Sequence, residues 1–330
     1  MKAVILAGGQ GTRLRPLTLT CPKPLLPVAN VPIIRRIIDK MPADVDEVLL
    51  AVNYKLEMLR EYFARVDVGR KVVVVEEKTP LGTAGAIKNV EPHLDGPFFV
   101  FNGDILDSLD LEAFRRFHQK RKSAATLALW QVADPRHFGV VAMRGEQITS
   151  FVEKPATKDE APSNLANAGT YLLEPEVLDL IKPDMATSIE RETFPALLAS
   201  GAAMHGYPFE GFWVDCGRPE TYLKANEAVL RASGRPTLIG EHTANRGAHF
   251  EEWAVVGSRC KLGVDVEITR SVLLDGVVVG NNVTIKDSIV GANAHVEDDA
   301  VLVDCVVGEG ARVEKGVLLK NVKVDPIVGA

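Results

Sequence analysis

The sequence predicts an α/β domain with a mostly parallel sheet, followed by a parallel β-helix. Three observations lead to this prediction. Short apolar runs alternate with helix-like stretches up to about residue 233, aliphatic residues recur six positions apart beyond residue 255, and a glycine-rich turn follows the first apolar run. The α/β domain is expected over residues 1–233 and the β-helix over residues 240–330.

The first part contains five candidate strands separated by amphipathic helices. The helices show apolar residues at three- and four-residue spacing, as in Leu56-Leu59-Phe63 and Leu111-Phe114-Phe117. A closing helix is predicted over 219–232, because Gly234 and Pro236 follow it as stop signals. This βα alternation is typical of a Rossmann-like sheet. The strands are expected at 2–7, 48–52, 72–76, 98–102 and 126–130.

The second part is rich in valine and has a six-residue period. Valine supplies 20 of the 74 residues from 255 to 328, where Phe, Trp, Tyr and Met are absent. Small residues such as Gly257, Gly263 and Gly280 follow the inward aliphatic positions, as expected where a triangular coil turns. The runs are Val256-Leu262-Ile268, Val290-Val296-Leu302 and Val301-Val307-Val313-Leu319, and two of them overlap out of phase, which predicts an interruption.

An ordinary β-sandwich is the alternative for this part, but sandwiches show a period of two and core aromatic residues. The known hexapeptide-repeat folds indicate that the β-helix is left-handed, although crossover connections are usually right-handed. The C-terminal sequence from Pro326 to Ala330 lacks an obvious capping helix. We therefore expect a homo-oligomer that forms through the β-helix domain.

Composition excludes several classes of protein. The 38 Lys and Arg against 44 Asp and Glu give a net charge of −6, opposite in sign to proteins that bind nucleic acid through bulk charge. Hydrophobic residues at 46% and charged residues at 25% are typical of globular chains. Any phosphate that the protein binds must therefore meet cations that are clustered locally.

No apolar run reaches the roughly 18 residues that span a bilayer, and the N-terminal segment resembles a strand more than a signal peptide. The four cysteines are far apart and form no CxxC pair, so neither a zinc site nor a disulfide framework is expected. These features predict a cytoplasmic protein without a membrane partner. The cysteines are Cys21, Cys216, Cys260 and Cys305.

The glycine-rich turn after the first strand runs from Gly8 to Thr18 and is followed by Lys23-Pro24. Glycines at this position let backbone N–H groups surround phosphate oxygens. The Walker A pattern is absent, and the dinucleotide fingerprint would need glycine where Leu14 stands. The functional interpretation is that Arg13, Arg15 and Lys23 surround a triphosphate. The structural interpretation is an ordinary glycine turn with arginines nearby.

Two aspartates follow apolar runs. Asp104 comes after the strand 98–102, where α/β folds bind ligands, and Asp215 ends the run Phe212-Trp213-Val214. Two such carboxylates would suit Mg²⁺, which takes its other ligands from phosphate and water. The alternative for Asp104 is that it caps the next helix. Glu153-Lys154 has a similar ambiguity between a sugar-phosphate site and an exposed ion pair.

The sequence resembles the sugar-1-phosphate nucleotidylyltransferase family, whose opening motif GGxGTRLxPLT and following KPxxP are matched by 8–18 and 23–27. The resemblance continues in the same order along nearly the whole chain. The later segments are 77–85 for the base-reading loop, Asn102-Gly103-Asp104 for the metal-binding strand end, 151–155 for the sugar phosphate, 167–171 and 211–215.

The resemblance implies a Mg²⁺-dependent reaction in which a sugar 1-phosphate attacks the α-phosphorus of an NTP and pyrophosphate leaves. The implied catalytic residues are Arg13, Lys23, Asp104 and Asp215, of which the two aspartates bind the metal. The other implied residues are Leu6, Gly8, Gly9, Gly11, Thr12, Arg13, Glu77, Gly82 and Thr83 for the nucleotide, and Gly139, Glu153, Lys154, Asn167 and Trp213 for the sugar phosphate.

Within the family, the sequence is most similar to members that use GTP and mannose 1-phosphate, while glucose-1-phosphate thymidylyl- or uridylyltransferase stays open. A non-catalytic regulatory subunit is another alternative, although the four implied catalytic residues are all present. His295 in the repeats raises acyl transfer as a minor alternative. Glu190 could face the sugar, and Cys216 departs from the family pattern beside Asp215.

Overall fold

A computed structural model describes residues 1–327, so residues 328–330 of the predicted repeat domain lie outside the described residues. The chain packs into two compact units. The first unit comprises residues 1–9 and 34–213, and the second comprises residues 10–33 together with the chain from 214 onward.

The helices are α1 Leu17–Thr20, α2 Ile33–Asp39, α3 Leu56–Arg65, α4 Gly82–Asn89, α5 Leu111–Arg121, α6 Phe194–Ala199 and α7 Pro219–Ser233. The strands up to the last helix are β1 Lys2–Leu6, β2 Pro27–Val28, β3 Val31–Pro32, β4 Glu47–Val52, β5 Lys71–Glu76, β6 Phe98–Asn102, β7 Ile105–Asp107, β8 Ala125–Gln131, β9 Gly139–Arg144, β10 Gln147–Glu153, β11 Leu165–Leu173, β12 Met204–Pro208 and β13 Trp213–Asp215. All five predicted strands and the closing helix are present, with bounds that differ by at most one residue.

One half of the first unit's sheet is parallel. Strands β5, β4, β1 and β6 lie side by side in that order, as in half of a doubly wound fold. Val4, Leu49 and Val100 on these strands are fully buried, since helices cover the sheet. The carboxyl ends of β1, β4 and β6 therefore meet at one edge, where Leu6 pairs with Ala51 and Asn102.

The other half of this sheet is mixed, which differs from the mostly parallel sheet that the sequence predicts. Strand β11 is antiparallel to β6 and β8, and β10 is antiparallel to β9 and β12, whereas β8 and β12 are parallel. For β9 and β10 the reason is local, because a short turn at Gly145 with φ 64° joins them and so tight a connection produces antiparallel strands.

In the second unit, α7 packs against both the segment 10–33 and the C-terminal strands. Asn226 on this helix is fully buried, and its Oδ1 accepts a hydrogen bond of 2.7 Å from the Ala29 N–H. The Tyr222 hydroxyl donates to the Pro27 carbonyl, and the Asn30 amide donates to the Val256 carbonyl at 2.8 Å. Buried polar pairs of this kind fix the position of the glycine-turn segment.

The C-terminal strands stack in parallel with a register of 17 residues over most of their length. Lys261 pairs with Val278, Val278 with His295, and His295 with Arg312. The strands are β14 Thr237–Ile239, β15 Ala244–Asn245, β16 His249–Val256, β17 Lys261–Leu262, β18 Glu267–Leu273, β19 Val278–Val279, β20 Thr284–Lys286, β21 Ile289–Val290, β22 His295–Val296, β23 Val301–Val303, β24 Val306–Val307, β25 Arg312–Val313, β26 Leu318–Lys320 and β27 Lys323–Val324.

The buried positions in this stack follow steps of six, six and five residues. One series runs through Val256, Leu262, Ile268, Leu273, Val279, Ile285, Val290, Val296, Leu302, Val307 and Val313, each at most 3% exposed. The predicted run that starts at Val301 is therefore wrong at its first member, because Leu302 is buried and Val301 is half-buried. The five-residue step passes through a residue with positive φ at Arg270, Asp287, Asp304 and Asn321, as the six-residue steps also do at corners such as Arg259 and Asp265. The six-residue period is interrupted because this step is one residue shorter.

Within residues 1–327, none of the helices combines the length and the apolar character that crossing a bilayer would require.

Candidate active site

The first glycines of the motif lie at the carboxyl edge of the parallel strands in the first unit. A Cβ on Gly8 would stand 3.1 Å from Glu77 Oε1 and 3.5 Å from the Asn53 Cβ, so a side chain here would crowd both neighbours. Leu6 ends β1, and Gly9 is exposed with open space where its Cβ would be. Backbone at this edge is therefore accessible for close approach by a ligand.

Glu77 follows β5 and is only 7% exposed. Its Oε2 accepts a hydrogen bond from the Leu81 N–H at 3.2 Å, and its own carbonyl accepts one from the Asn53 amide at 2.9 Å. Burial raises the pKa of the Glu77 carboxyl, and the Leu81 hydrogen bond only partly opposes this effect. The result is a preoriented carboxylate at the edge where the parallel strands end.

Gly82 and Thr83 begin α4 and lie under the segment 185–190. Gly82 has φ 68°, and a Cβ on it would stand 2.6 Å from the Thr187 carbonyl oxygen. That carbonyl accepts from the Ala84 N–H at 2.9 Å, while the Thr187 N–H donates to the Leu81 carbonyl at 2.9 Å. Glycine is thus required at this turn for both conformation and space.

Asp104 lies in the turn between β6 and β7. The preceding Gly103 donates its N–H to the Leu6 carbonyl at 2.9 Å, and a Cβ there would stand 2.6 Å from the same oxygen. The helix-capping alternative for Asp104 is wrong, because Asp110 caps α5 by accepting from the Ala113 N–H at 2.9 Å. Asp104 therefore stands at the sheet edge where the sequence predicts a metal ligand.

Glu153 ends β10 and Lys154 follows it, and the two form an ion pair of 3.2 Å between Lys154 Nζ and Glu153 Oε1. The Glu153 side chain is 15% exposed and the Lys154 side chain 56% exposed, so the cation reaches outward from a held carboxylate. A Cβ on Gly139 would stand 2.6 Å from Glu153 Oε2. Gly139 therefore provides the space that the Glu153 carboxylate occupies.

Asn167 and Trp213 also lie in the first unit. Hydrogen bonds orient both of their side chains. The Asn167 Nδ2 donates to the Tyr171 hydroxyl at 2.8 Å, and its Oδ1 accepts from the Gly169 N–H at 3.0 Å. The Trp213 indole N–H donates to the Ala168 carbonyl at 2.9 Å, and its ring packs edge-on against Phe138. The first unit thus contains the predicted sugar-phosphate residues together with part of the nucleotide set.

The remaining motif residues lie in the second unit. Gly11 has φ 61° and a Cβ on it would stand 2.8 Å from Thr18 Cγ2, so glycine is needed where the turn folds over Thr18. Thr12 and Arg13 begin a short 3₁₀ helix and are exposed. The Lys323 ammonium donates to the Arg13 carbonyl at 3.5 Å.

Lys23 and Asp215 form an ion pair in the second unit, with 3.8 Å between Lys23 Nζ and Asp215 Oδ1. The Lys23 side chain is 8% exposed, which is unusual for lysine and requires an acidic partner. A Cβ on Gly217 would stand 2.7 Å both from the Arg13 guanidinium and from Asp215 Oδ1. Arg13, Lys23 and Asp215 are therefore close neighbours, and the adjacent Cys216 is fully buried.

Residues 1–327 contain no group of three or more His, Cys, Asp or Glu side chains that are arranged to hold a metal ion. Mg²⁺ sites in phosphoryl-transfer proteins usually use one or two carboxylates with phosphate and water as the other ligands. Asp104 and Asp215 supply hard oxygen donors and fit that requirement individually. His295 projects outward from the stack and is exposed.

Two residues of these clusters had no role in the sequence-based predictions. Gly217 provides the space that the Arg13 guanidinium and the Asp215 carboxylate share, and Tyr171 orients Asn167. The glycine two residues after a predicted metal ligand was a usable signal. Tyr171 gave none, because a buried tyrosine in a strand is usually a core residue.

Comparison with known families identifies both parts of the chain. Residues 2–232 match the family model "Nucleotidyl transferase", and residues 236–328 match the model "GMPPB C-terminal domain".

Curated relatives match over most of their length. A mannose-1-phosphate guanyltransferase of Aspergillus fumigatus is 36% identical over 92% of this chain and 89% of its own. A mannose-1-phosphate guanylyltransferase of Mycobacterium tuberculosis is 36% identical over 86% of this chain and 81% of its own, and Arabidopsis thaliana has a similar relative at 36% identity.

Solved structures resemble the chain over about two thirds of its length. A putative glucose-1-phosphate thymidylyltransferase of Bacillus anthracis has a TM-score of 0.63 at 26% identity, covering 69% of this chain and 94% of its own. A UDP-glucose pyrophosphorylase bound to UDP-glucose has a TM-score of 0.61 at 26% identity, covering 70% of this chain and 98% of its own.

Proposed function

Since this chain belongs to the nucleotidyl transferase family, we propose that it is a mannose-1-phosphate guanylyltransferase, also called GDP-mannose pyrophosphorylase. It joins GTP to mannose 1-phosphate and releases pyrophosphate. The Lys23–Asp215 pair beside the Arg13 guanidinium is the observation that carries the proposed chemistry, because a carboxylate flanked by two cations suits a metal-bound polyphosphate.

In the proposed reaction an anionic oxygen of the sugar phosphate attacks the α-phosphorus of GTP. The bond between this phosphorus and the oxygen bridging to the β-phosphate breaks, and pyrophosphate carries away the electron pair. The attacking phosphate is already ionised near neutral pH, so positioning and charge neutralisation supply most of the catalysis. Arg13 attracts charge toward the leaving pyrophosphate, Lys23 neutralises the α-phosphate, and Lys154 holds the incoming phosphate.

We propose Asp104 and Asp215 as Mg²⁺ ligands, as the resemblance to the family implies. The ion supplies positive charge to the phosphate oxygens when it is bound. Lys23 holds the Asp215 carboxylate in position through their 3.8 Å ion pair.

The proposed nucleotide site uses backbone groups of Leu6, Gly8, Gly9, Gly11 and Thr12 around the phosphates, with Gly82 and Thr83 near the nucleoside. Glu77 gives the preference for guanine. Guanine presents two N–H donors, N1–H and the 2-amino group, on one edge, and a buried carboxylate is an acceptor that matches them. Thymine and uracil present a single N–H between two carbonyls, so an ionised carboxylate there repels them.

The proposed sugar site uses Glu153 and Asn167 as partners of the sugar hydroxyls. Gly139 keeps room for the Glu153 carboxylate, and the Trp213 ring lies beneath the sugar.

We also propose that residues 1–233 form the catalytic domain and residues 240–330 a left-handed parallel β-helix. The 17-residue register and the inward steps of six, six and five residues support this. We propose a homo-oligomer in which the stack contributes the interface, because β26 and β27 are the end strands of the described stack and leave an edge to pair.

The decisive experiment measures pyrophosphate release with Mg²⁺ for GTP, ITP, dTTP, UTP, ATP and CTP, each with mannose, glucose and N-acetylglucosamine 1-phosphate. We expect the highest kcat/KM for GTP with mannose 1-phosphate, and a lower value for ITP, which lacks the 2-amino group. A preference for dTTP or UTP with glucose 1-phosphate would instead identify a glucose-1-phosphate thymidylyl- or uridylyltransferase. Absence of pyrophosphate release with every pair of substrates would support the non-catalytic regulatory alternative.

The Glu77→Gln variant is the matched control for base selection. It should lose the preference for GTP over ITP while turnover with saturating nucleotide persists. Unchanged discrimination in this variant would overturn the role of Glu77.

A further inference from the structure

A series of side-chain contacts in the first unit runs from Thr83, at the start of α4, to Asn167. The Thr83 hydroxyl donates to Glu190 Oε2 at 2.7 Å, and the Ser188 hydroxyl donates to the same oxygen at 2.8 Å. At the other end, the Asn167 amide donates to the Tyr171 hydroxyl at 2.8 Å. The middle of the connection is a ring contact, because Tyr171 packs edge-on against Phe194, four residues after Glu190. The Glu190 charge adds to burial in raising the pKa of Tyr171. We name Thr83, Glu190, Tyr171 and Asn167 the relay.

The nucleotide end of the relay is fixed by backbone contacts. The Ile189 N–H donates to the Thr83 hydroxyl oxygen at 2.9 Å, so this hydroxyl both accepts and donates. Glu190 lies in a π-helical turn, Ile189–Thr193, which Ser188 caps by accepting from the Arg191 N–H at 3.2 Å. π-Helical turns are rare and recur at functional sites. Movement at the start of α4 must therefore move Glu190.

The sugar end is equally constrained. Tyr171 is fully buried, and its ring packs edge-on against Phe194 at 5.1 Å between centroids. Phe194 begins α6 directly after the π-helical turn, so the ring and the carboxylate move as one element. The Asn167 amide is held by Tyr171 through Nδ2 and by the Gly169 N–H through Oδ1, which leaves one rotamer available.

We propose that Glu190 is a positioning residue that couples nucleotide binding to sugar-phosphate binding through the relay. This inference rests on the proposed function, which places Thr83 at the nucleotide and Asn167 at the sugar. A nucleotide that stabilises this position of Thr83 thereby stabilises the positions of Glu190, Tyr171 and Asn167 that bind the sugar. Coupling of this kind is reciprocal, so the sugar phosphate must raise nucleotide affinity by the same factor.

The test measures the dissociation constant of mannose 1-phosphate by titration calorimetry, with and without a GTP analogue whose α,β-bridge is methylene. We expect the analogue to tighten sugar-phosphate binding by at least about fivefold in the unaltered protein. In Glu190→Gln and in Thr83→Val this ratio should fall to near one. Thr83→Ser keeps the hydroxyl and should restore the ratio.

Glu192→Gln is the matched control, because Glu192 lies in the same turn and accepts from the Ser188 N–H at 3.0 Å without contacting Thr83. It should retain the full ratio. If Glu190→Gln weakens both ligands but keeps the ratio, Glu190 is merely structural and the inference is overturned. Absence of coupling in an unaltered protein that still turns over GTP and mannose 1-phosphate also overturns it, whereas absence of turnover in every pair of substrates contradicts the proposed function itself.

Discussion

Lys23 Nζ lies 3.8 Å from Asp215 Oδ1, and the side chain of Lys23 is almost wholly buried. The two residues are far apart in sequence and belong to the same compact unit. A buried cation is costly without its counter-ion, so removing Asp215 would leave the Lys23 ammonium uncompensated. The proposed metal ligand, Asp215, therefore lies directly beside Lys23, the residue proposed to neutralise the α-phosphate.

Lys23→Ala should lower kcat by about 10²- to 10³-fold, as expected when a group that stabilises transition-state charge is removed. Pyrophosphate release at saturating substrates measures the effect. Lys323→Ala is the control, because Lys323 is exposed and contacts only the Arg13 carbonyl in this region. Its kcat should stay within about twofold of the unaltered protein. Equal losses in both variants would contradict a specific role for Lys23.

Asp104→Ala should abolish turnover without lowering the melting temperature, because Asp104 is proposed to bind Mg²⁺ and caps no helix. Asp110→Ala should do the reverse and lose about 1 kcal/mol of stability with its activity kept, since Asp110 caps α5. Turnover and thermal unfolding of the two variants distinguish these roles. Near-normal activity in Asp104→Ala would contradict the proposal that Asp104 binds Mg²⁺.

Base selection should depend on pH through Glu77. Burial raises the pKa of its carboxyl above 4.5, so protonation begins at a higher pH than for an exposed glutamate. Protonation removes an acceptor, and KM for GTP should therefore rise as the pH falls toward that pKa, while KM in Glu77→Gln stays flat. Steady-state kinetics between pH 8 and about pH 5 check this.

The same shift affects stability. The folded protein binds the Glu77 proton more tightly than the unfolded chain, so the contribution of this group is fully present below pH 4.5 and is lost as the pH rises through the raised pKa. The melting temperature of Glu77→Gln relative to the unaltered protein should increase with pH. A difference that is constant with pH would contradict the raised pKa.

Gly82→Ala should destabilise the protein by about 1–3 kcal/mol and weaken GTP binding. A Cβ at φ 68° is strained, and it would approach the Thr187 carbonyl to 2.6 Å. Gly96→Ala is the control, since nothing lies within 4 Å of its Cβ position and its φ is not positive. Urea unfolding and the KM for GTP measure both variants, and equal stability would argue against the turn geometry.

Leu302→Ala should cost about 2–5 kcal/mol, because Leu302 is fully buried in the C-terminal stack. Val301→Ala, one residue earlier and half-buried, should cost about 1 kcal/mol at most. Denaturant unfolding of the two variants tests the register directly. A larger loss of unfolding free energy in Val301→Ala than in Leu302→Ala would indicate that Val301 is the inward residue, as the six-residue run from the sequence predicted.

Sequence patterns predicted the elements of the fold better than their pairing. Alternating apolar runs identified β1, β4, β5, β6 and β8, because burial on both faces leaves a continuous apolar run. The antiparallel pairing of β11 with β8 and of β10 with β12 depends on contacts between segments distant in sequence, which a local pattern does not encode. The five-residue step was also hidden, since Val301 and Leu302 are both aliphatic and only their burial in the folded stack distinguishes them.

The site was predictable where chemistry constrains residue type. Glycines, an arginine, a lysine and aspartates in a fixed order indicated phosphate and metal binding, and the structure brings Arg13, Lys23 and Asp215 together. Tyr171 contributes by orienting the Asn167 amide, and Gly217 contributes by having no side chain where Arg13 and Asp215 lie. Properties of this kind depend on what the neighbouring atoms occupy, and so they appear only when the chain is folded.

The 17-residue register of the C-terminal stack has an evolutionary consequence. Each strand there bonds only to its neighbours one repeat away, and residues of positive φ recur at the same corner in successive repeats. Duplication or deletion of one whole repeat preserves every corner and every inward position, whereas a shorter insertion shifts them all. Descendants of this gene can therefore change the length of the stack in whole repeats while the enzyme attached to it stays the same.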